Sequence, residues 1–88
     1  MKLVFDSRGW DDYRGLRTSD PKAFRKLEAL IEECLRNPFK GTGKPEPLKD
    51  NLKGFWSRRV TEEHRLVYRV SGFGDSQLFE IAQCRYHD

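Results

Sequence analysis

An 88-residue chain can close one hydrophobic core and has no material for a second, so residues 1–88 are expected to form a single domain. The composition is 36% hydrophobic and 35% charged, and no apolar run approaches bilayer-spanning length, which excludes a helical membrane protein. The formal net charge of +3 is too small to explain a function by itself, so where the charge sits matters more than its total.

Lys2 to Asp6 (KLVFD) reads as a short strand, with Leu3 and Phe5 on one face and Val4 on the other. Nothing before it has a signal-peptide pattern, and a cytosolic location is the expectation. Asp6 or Ser7 can cap a following helix that presents Trp10, Tyr13 and Leu16 at helical spacing. Gly9 and Gly15 each weaken that helix by ~1 kcal/mol relative to alanine, so packing of its aromatics has to hold it. The strongest helix signal is Pro21 to Arg36. Asp20 stands at the N-cap, Pro21 at the first helical position, and Leu27, Leu30, Ile31, Cys34 and Leu35 form an apolar stripe with Phe24. Asn37-Pro38 ends it. The stripe reads as core.

Residues 38–47 (PFKGTGKPEP) form a Gly- and Pro-rich connector. Its Gly41-Thr42-Gly43-Lys44 lacks the spacing and the following helix of a nucleotide-binding phosphate loop. After Gly54 the pattern alternates. Phe55–Val60 and Arg65–Val70 read as strands joined through Thr61-Glu62-Glu63, and a turn over residues 71–75 leads into a last strand, Leu78–Tyr86. The predicted architecture is α+β, with two N-terminal helices on one face of a small twisted antiparallel sheet. Cys34 and Cys84 are too few for a disulfide framework or a zinc set and read as small buried hydrophobes.

The positive charge gathers in the middle of the chain. Residues 40–69 hold eight Lys/Arg against four Asp/Glu, which favours a polyanionic partner, with a solvated basic face as the plain alternative. Strand alternation sets Leu66, Tyr68 and Val70 against Arg65, Val67 and Arg69, predicting an apolar face under the helices and a basic face left open. The last strand is half apolar on both faces, and a bulge near its end would re-aim His87. Glu46, between Pro45 and Pro47, has little backbone freedom. A fixed carboxylate beside arginines suits acid–base work on a phosphate. Glu46, Arg65 and His87 could supply base, cation and acid for attack of an RNA 2′-hydroxyl, with no metal or cofactor. Each has a plainer reading: Glu46 as a partner of Lys44 or Lys49, Arg65 as a solvated cation, His87 as an idle exposed histidine. His64 reads as a turn residue, and no metal-ligand constellation stands out.

The run GKPEPL, then GFWSRRVTEEHRLVYRV and the ending AQCRYHD, resembles the YoeB branch of the RelE superfamily of bacterial toxins. The strand followed by Trp10-Asp11-Asp12-Tyr13 and the long helix ending in Asn37-Pro38-Phe39 match as well, so the resemblance covers essentially the whole chain. It implies a RelE-like microbial RNase fold and an mRNA interferase that cuts the codon in the ribosomal A site. It further implies a YefM-like antitoxin and self-association as a dimer. The family's base falls on Glu46, its transition-state arginine on Arg65, its acid on His87, and a further basic site residue on Arg59. Lys49, Lys53, Arg58 and Arg69 are expected, by charge, to contact RNA backbone. The family ends in a tyrosine directly after the histidine. Here Asp88 stands there, and Tyr86, two residues earlier, is not its positional equivalent. Asp88 is expected to lower cleavage without abolishing it. The alternative is a catalytically weakened homologue that binds ribosome or antitoxin without cutting, and a nuclease acting on naked RNA ranks third.

Overall fold

The computed structural model describes residues 1–86. The first strand, β1 (Lys2–Phe5), runs directly into helix α1 (Ser7–Ser19), whose N-cap Asp6 accepts the Gly9 N–H at 2.8 Å. Asp20 then acts twice. Its N–H closes α1 on the Leu16 carbonyl, and its side chain accepts the Ala23 N–H to open helix α2 (Pro21–Arg36). Two helices thus meet with no linker, which fixes the angle between them. The N-caps, the proline at the helix start and the end at Asn37 are as the sequence predicts.

Four further strands follow: β2 (Glu46–Pro47), β3 (Trp56–Arg59), β4 (Arg65–Ser71) and β5 (Leu78–Gln83). They join β1 in a five-stranded sheet of order β1-β5-β4-β3-β2. The sheet departs from the antiparallel expectation at one edge, where β1 pairs parallel to β5, Leu3 opposite Phe79 and Phe5 opposite Ile81. The two helices intervene between β1 and the rest of the sheet in sequence, and this long crossover lets β1 lie parallel to its neighbour.

The core lies between helices and sheet. Leu16 of α1 and Leu27, Leu30, Ile31 and Cys34 of α2 pack on Leu66 and Tyr68 of β4 and Phe79 and Ile81 of β5. Helix α1 approaches β5 so closely that a Cβ at Gly9 would stand 2.3 Å from the Ile81 carbonyl oxygen. Gly9 is therefore required by packing, and its poor helix propensity is tolerated for that reason.

The last strand is bulged, a point its half-apolar faces left open. Tyr68 pairs with Ile81 but Val67 with Gln83, so Ala82 is an extra residue on β5. Such a bulge reverses the facing of everything after it. Cys84, which shares parity with Glu80, turns into the core, and Gln83 turns to the open face beside Val67.

Candidate active site

On the sheet face away from the helices, the register aligns one residue from each of four strands. Glu46 of β2 is opposite Ser57 of β3, Ser57 opposite Val67 of β4, and Val67 opposite Gln83 of β5. Arg65, two residues before Val67, shares that face and lies opposite Arg59. Its Nη1 sits 3.4 Å from Glu46 Oε1 and 3.3 Å from Ser57 Oγ. These residues, with Leu48 and Leu52, line an open depression of about 330 Å³. The carboxylate side chain is 60% exposed while the guanidinium is more enclosed, so the carboxylate faces solvent and the guanidinium lies deeper. Glu46 is held by pairing to β3 and by the Leu48 N–H bonded to the Phe55 carbonyl.

Of the residues singled out from the sequence, Glu46 and Arg65 are brought together. Arg59 is exposed on β3, with its backbone N–H bound to the Gly43 carbonyl at 2.7 Å. Lys49 and Lys53 flank a 3₁₀ turn at Asp50–Leu52 and are both exposed beside the wall of the depression. Arg69 is less available, because Glu80 pairs with its Nε at 2.8 Å and its guanidinium lies over the Phe55 ring. His87 and Asp88 fall outside the described residues. The chain reaches them from Tyr86, whose carbonyl accepts the Arg65 N–H at 3.0 Å.

Arg58 requires a correction. It was expected to face RNA, but it is 0% exposed and lies on the helix side of the sheet. Its Nε donates to the Tyr68 hydroxyl, Nη1 to Glu33 and the Thr42 carbonyl, and Nη2 to the carbonyls of Asn37 and Lys40. Tyr68 in turn donates to the Pro38 carbonyl at 2.6 Å. Burial works against the Arg58 charge, but the hydrogen bonds to Tyr68 and Glu33 help hold the guanidinium above its ordinary pKa. Arg58 thus binds the 37–42 connector to the core and has no donor left for a substrate.

Sequence reasoning missed three residues near the site. Ser57 shares parity with Arg59 and could have been found from alternation. Gln83 was hidden by the bulge. His64, read as a turn residue, is buried, and its Nδ1 accepts the Tyr86 N–H at 2.9 Å. Its Nε2 lies 3.7 Å from Glu63 and 4.0 Å from Asp20, so these three residues bring ligand-type atoms within 4.8 Å of one another. An imidazole accepting at Nδ1 carries its proton on Nε2, which leaves no lone pair there for a metal. The grouping is electrostatic. Neither cysteine offers a nucleophile: burial pushes Cys34 up to about 11 and Cys84 up to about 12. Among the described residues, no helix is long and apolar enough to cross a membrane.

The comparisons with known proteins point one way. A profile of the YoeB-like toxins of bacterial type II toxin–antitoxin systems matches residues 5–88. Toxin YoeB of Escherichia coli K12 is 55% identical over 87 residues, 99% of each chain. The solved YoeB/ParE toxin from Agrobacterium tumefaciens superposes with a TM-score of 0.94 at 51% identity, covering 100% of both chains. Staphylococcus aureus YoeB, known as a dimer and in a heterotetrameric complex with the antitoxin YefM, gives TM-scores of 0.84 at 38% and 39% identity. Both cover 100% of this chain and 98% of the other. With its helices on a five-stranded RelE-like sheet, the chain belongs to the YoeB-like toxins of bacterial type II toxin–antitoxin systems.

Proposed function

We infer that this toxin is a ribosome-dependent mRNA endoribonuclease that cuts the codon in the A site and so stops translation. The observation that carries this reading is the convergence of Glu46 and Arg65, 3.4 Å apart, in an open depression on the basic face. Glu46 takes the proton of the 2′-hydroxyl. Arg65 stabilises the charge that builds on the phosphate oxygens as the O2′–P bond forms and the P–O5′ bond breaks. His87 protonates the departing 5′-oxygen. Glu46 and His87 account for both protons transferred and Arg65 for the charge between them, and the reaction calls on no cofactor.

Arg59, Lys49 and Lys53 position the backbone of the message, and Arg69 does so more weakly because Glu80 shares its charge. The depression is small and offers no long track for RNA, which favours a substrate presented by the ribosome over naked RNA. Action on the ribosome places the protein in the bacterial cytoplasm. A YefM-like antitoxin is the partner, on the strength of the Staphylococcus aureus complex, and the dimer of that same relative supports self-association.

The test is to map mRNA ends on ribosomes stalled at a chosen codon. New ends inside the A-site codon are expected with the wild-type protein. Glu46→Ala, Arg65→Ala and His87→Ala should each slow their appearance by about 100-fold or more. Blocked ribosomes carrying intact message would instead favour a toxin that occupies its target without cutting.

A further inference from the structure

The proposed chemistry needs His87 at a defined place, yet the last strand ends at Gln83, three residues before Tyr86. Something must direct it there. Three observations converge on Tyr86, the last described residue. Its φ of +63° is in the left-handed region, which a tyrosine adopts only when its surroundings impose it. Its carbonyl is held by the Arg65 N–H at 3.0 Å. Its N–H is held by His64 Nδ1 at 2.9 Å.

His64 is itself fixed. Its carbonyl accepts from the Val60 and Thr61 N–H groups and its own N–H is bound by Thr61 Oγ1, so the ring projects from a locked turn. The ring is buried, and the carboxylates of Asp20, from the junction of the two helices, and Glu63, from the turn, stand by Nε2. Two negative groups at that nitrogen favour the tautomer with its proton on Nε2. That leaves the Nδ1 lone pair for Tyr86.

We propose that His64 is a positioning residue of the cleavage site, whose Nδ1 lone pair fixes the backbone of Tyr86 against Arg65 and so sets where the chain hands over to His87. The proposal rests on the nuclease reading. Residues 64 and 65 then act as a pair: one strand start supplies the transition-state arginine and anchors the segment that bears the acid. His64 touches no substrate. It acts through geometry.

The experiment combines single-turnover cleavage on programmed ribosomes with amide exchange at Tyr86 and thermal melting. The variants are His64→Ala, His64→Asn and His64→Gln. The Asn side-chain oxygen falls near the place of Nδ1, whereas the Gln oxygen reaches the place of Nε2. His64→Ala and His64→Gln are expected to lose about 100-fold in cleavage, the scale of an ångström of misplacement, with faster Tyr86 exchange. His64→Asn should recover most of both. The proposal is overturned if His64→Ala cleaves like wild type, or if Asn rescues no better than Gln. An unprotected Tyr86 amide in the wild-type protein would also overturn it, even if every variant failed to fold. A protected Tyr86 in a wild-type toxin that leaves message intact would instead sink the nuclease reading, and the positioning role with it.

Discussion

Adjacent arginines in β3 meet opposite fates, and the difference is one of facing. Arg58 follows Trp56 by two residues and precedes Val60 by two, so alternation assigns it to the helix side. Counting basic residues along the segment concealed this, because composition has no facing. The sequence carried the signal in its parity. Arg58→Met is expected to lower stability by about 3–5 kcal/mol, read by chemical denaturation, because it leaves Glu33 and several connector carbonyls without their donor. Arg59→Met should leave the unfolding midpoint unchanged and weaken cleavage, since Arg59 is exposed beside Arg65. Equal loss of stability in the two variants would refute the distinction.

At the scale of the element, β5 was the hardest part to read and explains why. Glu80, Ala82 and Cys84 share one parity and Phe79, Ile81 and Gln83 the other, so neither face is clearly apolar until one residue is set aside as the bulge. The extra residue is Ala82, a choice set by pairing with β4 rather than by any local propensity. Helices were more legible, because caps and the proline are local signals. The part of α1 that stayed opaque is Gly9, where a long-range contact outweighs propensity. Gly9→Ala gains ~1 kcal/mol of helix propensity. It nonetheless drives a methyl group into the Ile81 carbonyl, and overpacking of this kind costs about 1–3 kcal/mol. A net drop in stability on denaturant titration is the expected result, and a more stable variant would contradict the close approach.

Across the whole molecule, the connector that delivers Glu46 is tied to α2 by charge as well as by chain. The Thr42 backbone N–H, the Thr42 hydroxyl and Arg58 all hold the Glu33 carboxyl below its usual range. A carboxylate depressed in the folded state stabilises it above the ordinary value near 4.5 and loses that contribution as pH falls through the folded pKa. Stability is therefore expected to fall on acidification below about 4.5. Glu33→Gln should lower stability at neutral pH and flatten that acid slope relative to wild type, measured by melting across the range. Coincident slopes would remove Glu33 from the account. The convergence of Glu46 with Arg65 is likewise a property of the whole chain. Prolines at 45 and 47 announced a stiff carboxylate, but only the pairing of β2 to β3 aims it.

The same short strand also limits how the protein can polymerise. Of residues 45–47 only Glu46 has a backbone N–H, so this rim of the sheet is a poor template for another chain. The opposite rim, β1, has no proline. Copies joining rim to rim must use β1 from both sides, and such a pair has no growing end. Growth into a continuous ribbon is therefore disfavoured beyond two copies, by the same two imino acids that stiffen Glu46.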